Sequence, residues 1–323
     1  MKELEYLNII KNTLDNSSLL GDDCAYLPNN SIGTKGLYVT QDTLVEDVHF
    51  SLDTISPYLL GRKSINVNLS DLAATCATPL YLTISLSLPK KIDNNFIAEF
   101  YKGVNEVCKE HSVIVAGGDL TGSEKIMISI TAIGKKTSNF KISRNLAKPN
   151  YVVVTTGFHG DSSAGFKLLE QNNKQSSSLI NAHLNPTAQL DKSRKIASIA
   201  KQNFAMMDTS DGLADALYKI ANASNVSLEI DLKNIPISKE LKKYFSDTYI
   251  NKVLWGGEDY QLLFCMNEED YNKLENDYKN DFYKIGKAVE RNEYPVKIHL
   301  DNDTLIIDKN SFIKNSYNHF GEQ

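Results

Sequence analysis

Residues 112–125 read SVIVAGGDLTGSEK: a β-branched apolar run, two glycines, an acid and a series of hydroxyls. Ser112–Ala116 predicts a short buried strand, and Gly117-Gly118-Asp119 predicts the turn that ends it. Before it, Asp93–Glu110 predicts a helix, with Phe100, Val104, Val107 and Cys108 on one apolar stripe. Earlier still, Tyr81–Leu88 predicts a strand halted by Pro89, Tyr58–Ala74 a helix, and Gly36–Thr40 a short strand ending at Asp42. Beyond the turn, Lys125–Ile133 predicts one more strand. Strands and helices that alternate in this way predict an α/β fold with mixed sheets.

Polar residues and Pro149 fill Lys135–Asn150, so we place a domain boundary near residue 140, with one domain over 1–140 and a second over 141–323. The second half restarts with the β-branched run Tyr151–Thr156 and a small-residue helix from Asp161. Gln171–Ser178 is low-complexity and polar, which predicts an exposed loop. Further elements are predicted as strands at Phe204–Met207, Val226–Ile230, Glu258–Cys265 and Val296–Leu300, and helices at Leu213–Ala223 and Glu268–Asp277.

A chain of 323 residues with net charge -5 has room for two domains and lacks the overall basic charge that nucleic acid or an anionic membrane surface attracts. The acids and amides of the first residues do not form a signal peptide, and no apolar run approaches membrane length, so the expected compartment is the cytoplasm. Cys24, Cys76, Cys108 and Cys265 form no CxxC pair, which predicts buried free thiols rather than zinc ligands or disulfides.

Acids gather where apolar runs end: Asp22-Asp23, Asp42, Asp71, Asp119, Asp208-Thr-Ser-Asp211-Gly, and Gly-Gly-Glu258-Asp259. Each alone suits a turn or a cap. Asp208 or Ser210 would cap a helix beginning at Gly212 or Leu213, or the two acids would hold metal and phosphate together. Asp71, with Asn68 on the same helical face, is either solvent-facing or functional. Convergent carboxylates without a His or Cys cluster favour Mg²⁺ or Ca²⁺, and Mg²⁺ in turn implies a phosphorylated ligand, naturally a nucleotide. No Walker, Rossmann or protein-kinase signature is present, so nucleotide binding would rest on glycine turns, metal ions and isolated cations such as Lys63 and Arg144. His49 stands beside acids in VEDVHF; His111, His159, His183, His299 and His319 read as surface residues or caps. No spacing supports covalent catalysis, so no residue is assigned as nucleophile or obligatory base.

The ordered motifs GDDCAYL, VTQDTLVEDVHF, NVNLSDLAA, LTISLSLP, IVAGGDLT, ISR, MDTSDGLADAL and GGEDYQLLF resemble bacterial thiamine-monophosphate kinases, from Gly21 to about Phe320. That family lies within the ATP-using superfamily of aminoimidazole ribonucleotide synthetase. The resemblance implies phosphorylation of thiamine monophosphate by ATP with several Mg²⁺ ions, giving thiamine diphosphate. It also implies an N-terminal α/β domain whose strands join a partner's in a homodimer, and a C-terminal α/β domain. It implies metal ligands at Asp23, Thr40, Asp42, Asp71, Asp119, Asp208 and Asp211. Nucleotide contacts would be Tyr101, Gly118, Asp119, Arg144 and Ser210, and substrate contacts His49, Glu258 and Tyr317. Three positions depart from the family pattern: Gln41 where Thr or Ser is usual, Asp47 where a small residue is common, and Cys76-Ala-Thr78 where a Gly-containing turn is usual.

Two other readings stay beside this one. Another ATP-dependent member of the superfamily would show a reactive Cys in a glycine-rich N-terminal segment, as in selenophosphate synthetase, or a functional terminal Cys, as in the hydrogenase-maturation member; neither is found here, where the last residues are FGEQ. A catalytically silent nucleotide- or Mg²⁺-binding dimeric module would have less need of so many acids.

Overall fold

The computed structural model describes residues 22–27, 36–173, 175–301 and 303–320; Gly21, where the family resemblance begins, lies outside them. The first half builds a sheet from β1 (Ala25–Leu27), β2 (Leu37–Val45), β3 (Ala77–Leu88), β4 (Ile114–Gly122) and β5 (Met127–Lys136), with α1 (Pro57–Ala74) and α2 (Asn94–His111) between strands. The order among the described strands is β1-β2-β5-β3-β4, and only β3 and β4 run parallel, joined by the α2 crossover that parallel neighbours require. Alternation sets the faces: Leu82, Ile84 and Leu86 of β3 lie opposite Ala132, Ile130 and Ile128 of β5, all buried on the helix side. The other face of β3 carries Thr83, Ser85 and Ser87.

Two predictions about strand ends are corrected. β2 does not stop before Asp42, because nine successive residues from Leu37 to Val45 pair with Lys135 to Met127. Asp42 therefore stands within a strand. Nor is Gly117-Gly-Asp119 a turn: β4 continues to Gly122, with Gly118 opposite Ile84 and Asp119 opposite Ser85. Gly118 has a packing reason, since a Cβ there would lie 1.9 Å from the Ile84 carbonyl oxygen. β4 is exposed along its whole length, with Ile114 60% and Leu120 68% accessible.

The second half contributes β6 (Val152–Thr155), α3 (Asp161–Glu170), α4 (Ser177–Leu184), α5 (Leu190–Ile199), β7 (Ala205–Asp208), α6 (Leu213–Ser224), β8 (Val226–Asp231), α7 (Lys239–Tyr244), α8 (Tyr249–Trp255), β9 (Leu262–Met266), α9 (Glu268–Asp277), β10 (Tyr283–Glu290), β11 (Val296–His299), β12 (Thr304–Ile307) and α10 (Lys309–Asn315). Its sheet has the order β12-β11-β8-β10-β6-β9-β7. The polar stretch after Gln171 is not all loop: Ser176 is buried, and its hydroxyl caps α4 by accepting from the Leu179 amide. The strand expected from Glu258 begins only at Leu262, because Glu258 and Tyr260 adopt left-handed backbone angles, φ 65° and 48°.

α1 joins the two halves. Its apolar side lies on the first sheet, yet Lys63, Asn66, Asn68 and Ser70 are buried as well. Their polar atoms are satisfied largely by the second half: the Asn66 side-chain oxygen accepts from the Ala188 amide at 3.1 Å and the Ser70 hydroxyl donates to Asp208 at 2.6 Å. All four cysteines are free and buried, as the sequence predicted. Among the described residues no helix is long and apolar enough to cross a membrane.

Candidate active site

A strand and a helix meet at the acid cluster through matched periodicities. Thr40 and Asp42, two apart on β2, point to the same side; Asn68 and Asp71, three apart on α1, share a face. The Thr40 hydroxyl donates to Asp71 Oδ2, and the Asp42 amide donates to the Asn68 side-chain oxygen at 3.0 Å. Asp208, the last residue of β7, enters from the second sheet, so that carboxylate oxygens of Asp23, Asp71 and Asp208 lie within 4.8 Å of one another.

Crowded carboxylates shielded from water resist ionisation. Burial, with Asp208 and Asp211 adding repulsion, pushes Asp42 up to about 7. Burial likewise pushes Asp23 up to about 7, although Arg144 pulls the other way from 2.9 Å. Asp71 is held well above the usual carboxylate range by burial and then by Asp42, and Asp208 is raised by burial despite hydrogen bonds from Ser70 and Ser210. This is a charge deficit in search of cations. Hard oxygen donors at this spacing fit a divalent ion such as Mg²⁺.

The Asp208–Gly212 loop does not cap the helix that follows it. α6 has no side-chain cap, and Ser210 instead donates to Asp208 Oδ1 at 2.8 Å, so both acids face the cleft. Gly212 makes the turn at φ 103°, where a Cβ would lie 3.1 Å from the Gly256 carbonyl oxygen. The Gly256–Asp259 loop locks against it: the Glu258 amide donates to the Ser210 carbonyl at 2.7 Å and the Thr209 amide to Gln261 at 2.9 Å. Asp259 instead caps α3 from across the fold, accepting from the Gly160 amide at 2.6 Å and the Ser162 amide at 3.0 Å at the helix's N-terminus.

A cleft of about 840 Å³ runs from the acids to a second cluster. There Glu258 Oε2 meets the buried Lys63 ammonium at 3.1 Å and His183 Nδ1 at 3.2 Å. Burial alone would raise Glu258, but Lys63 and then His183 outweigh it and hold the carboxyl at about 2. His49 completes this wall, its Nδ1 accepting from the Val45 amide at 3.1 Å and its ring 5.2 Å from that of His319, which in turn is 4.7 Å from Tyr317.

The chain matches the family model for AIR synthase related protein, N-terminal domain, over residues 21–135 and that for the C-terminal domain over 148–299. It is 35% identical over 334 residues to thiamine-monophosphate kinase of Bacillus subtilis, covering 99% of this chain and 100% of that one. The chain belongs to the thiamine-monophosphate kinase family. The Aquifex aeolicus thiamine-monophosphate kinase is 38% identical over 295 residues, 89% of this chain and 92% of that one. A solved structure of AaThiL complexed with AMPPCP and TMP superposes with a TM-score of 0.82 at 34% identity, covering 95% of this chain and 98% of that one. The mixed-sheet α/β class read from the sequence is that of this family.

Of the residues singled out from sequence, Asp23, Thr40, Asp42, Asp71, Asp208, Ser210 and Asp211 gather at one end of the cleft, and His49, Glu258 and Tyr317 line it toward the other. Arg144 stands behind Asp23. Three lie elsewhere in this chain: Tyr101 packs edge-on to Phe100 on α2, and Gly118 and Asp119 stand on β4, three strands and thus roughly 14 Å from β2. Two histidines read as surface residues or caps are corrected. His159 is fully buried with its Nε2 2.7 Å from the Thr155 hydroxyl, and His183 is buried against Glu258. Lys219, which joins Asp211 at 2.9 Å to Asp215 at 2.6 Å, gave no signal beyond its place on a helix. Of the departures from the family pattern, Gln41 accepts from Thr131 at 2.7 Å, Asp47 pairs with Lys125 at 3.2 Å, and Cys76 occupies a left-handed position at φ 51°.

Proposed function

We propose that this chain transfers the γ-phosphoryl group of ATP to thiamine monophosphate, giving thiamine diphosphate and ADP. The observation that carries the reading is one cleft with a carboxylate cluster at one end and a fixed anion, Glu258, among aromatic rings at the other. A diphosphate-forming transfer asks for that polarity: cation-binding acids where phosphates meet, and a recognition wall for a cationic heterocycle. The AaThiL structure, which holds AMPPCP and TMP together, supports it.

An oxygen of the acceptor phosphate attacks the γ-phosphorus in line as the bond to the β-phosphate oxygen breaks. A phosphate monoester is already largely ionised near neutrality, so no protein base need take a proton. That agrees with a cleft whose acids lie in a cation-binding cluster. Asp23, Asp42, Asp71, Asp208 and Asp211, with the Thr40 oxygen, are the residues that would hold Mg²⁺; Asp119, on β4 and roughly 14 Å from β2, stands too far off within one chain to join them. When bound, Mg²⁺ supplies positive charge between two anionic reactants. The locked loops at Thr209–Gly212 and Gly256–Glu258 hold Ser210 and Asp211 still, which is where positioning contributes to rate. Arg144, ion-paired to Asp22 and Asp23, keeps a fixed cation beside the nucleotide end.

The rest of the reading follows from particular surfaces. The bare β4 edge, with Ile114 and Leu120 exposed, suits pairing with a second copy, which would carry Gly118 and Asp119 into the interface. The division near residue 140 is supported by the two separate sheets, the first ending with β5 at Lys136 and the second opening with β6 at Val152. Four unpaired buried thiols suit the reducing cytoplasm.

The test is ADP release by the purified chain with ATP and Mg²⁺, with and without thiamine monophosphate. Acceptor-dependent release is the expected result. Release no greater than with ATP alone would leave a binding module without this activity.

A further inference from the structure

Glu258 is fixed in part by a half of the molecule that does not contain it. Lys63 comes from α1, on the first sheet, and is only 1% exposed; no ordinary surface lysine is placed so deep. Its ammonium reaches Glu258 Oε2 at 3.1 Å and the His183 carbonyl at 3.3 Å, while His183 Nδ1 approaches the same Oε2 at 3.2 Å. The two contacts converge on one carboxylate oxygen. Among the described residues Oε1 has no protein partner, and Glu258 lines the cleft with a quarter of its side chain exposed. Its backbone is equally constrained, at φ 65° with its amide on Ser210.

Resting on the functional reading above, we propose that Lys63 and His183 are positioning residues that lock Glu258 Oε2. Oε1 is thereby left as the anionic acceptor for the amine-bearing, cationic ring system of the acceptor substrate. A buried lysine with its partner removed would be strongly unfavourable, so the ion pair also ties α1 to the Gly256–Asp259 loop and sets the width of the cleft. In this assignment neither residue contacts the phosphates directly. Their loss acts on binding of the acceptor, through Glu258, and leaves ATP alone.

The experiment is a double-mutant cycle on steady-state kinetics of the full chain with ATP, Mg²⁺ and thiamine monophosphate, comparing K63M, E258Q and K63M/E258Q, with H183A and H183A/E258Q as a second cycle. E258Q is expected to raise KM for thiamine monophosphate about tenfold or more, the scale of one hydrogen bond to a charged group. K63M and H183A raise the same KM with KM for ATP within about twofold, and neither adds to the effect of E258Q. The H183A cycle, which leaves the buried lysine in place, decides the matter if K63M does not fold. Additive effects, an equal rise in KM for ATP, or an unchanged KM for thiamine monophosphate would overturn the assignment while the wild-type chain remains active. A wild-type chain that neither turns over nor binds thiamine monophosphate would instead overturn the functional reading, and this one with it.

Discussion

Replacing Asp42 by Asn should stabilise the metal-free protein while destroying its catalysis. The carboxyl of Asp42 has no counter-charge: burial comes first, then Asp208 and Asp211, and together they move it from 3.8 to about 7. For a carboxyl raised on folding, the folded chain binds the extra proton between those two values. The penalty is thus absent below pH 3.8, grows as pH rises, and is complete above about 7. At pH 8 the shift corresponds to about 4 kcal/mol, which water at the half-open side of the residue reduces to about 2 kcal/mol. The isosteric amide avoids that cost, so in EDTA at pH 8 the variant should melt roughly 3 °C higher than wild type, with the gap closing toward pH 4. Excess Mg²⁺ should reverse the order, because the wild type gains more from the ion than the variant does. Turnover should fall by about a hundredfold or more. Differential scanning fluorimetry across pH, with and without Mg²⁺, reads all but the last. A variant that melts below wild type in EDTA at pH 8, or that gains as much from Mg²⁺, would refute the reasoning.

Gly212→Ala should cost about 1–3 kcal/mol in urea denaturation, since its φ of 103° and the carbonyl 3.1 Å from a Cβ both resist a side chain; a cost below 0.5 kcal/mol would mean the loop relaxes freely. Asp259→Ala removes the acceptor for the Gly160 and Ser162 amides and should lower stability by about 1–3 kcal/mol by the same measurement. Leu120→Lys, at a position 68% exposed, should leave the melting temperature of the isolated chain almost unchanged but convert a dimer to monomer in sedimentation velocity. Unaltered sedimentation of a dimer would place the interface away from β4.

Much of the site was legible because its residues follow local rules. Asp71 was conspicuous as a lone acid among apolar residues of α1, and Asp208 and Asp211 flank a hydroxyl at a strand-to-helix junction. What stayed hidden depended on distant partners. His183 lies in a short helix, α4, that the polar run before it obscured, and its meaning comes from Glu258, 75 positions later. Gly118 looked like phosphate-cradling backbone, yet close approach to Ile84 already accounts for it.

The sequence by itself determined the alternation of strands and helices, the mixed-sheet α/β class, the burial of four free thiols and the acids to suspect. These are set by side-chain period and by turn chemistry within a few residues. Only the tertiary structure decided that β2 runs on through Asp42, that β4 runs on through Gly-Gly-Asp as an uncovered edge, and that Asp208 faces the carboxylates of Asp23 and Asp71 rather than capping α6. It alone placed Lys63 on Glu258. Strand length is set by the partner strand and carboxylate chemistry by neighbours that the chain brings from 31 to 195 residues away, as Thr40 to Asp71 and Lys63 to Glu258 show.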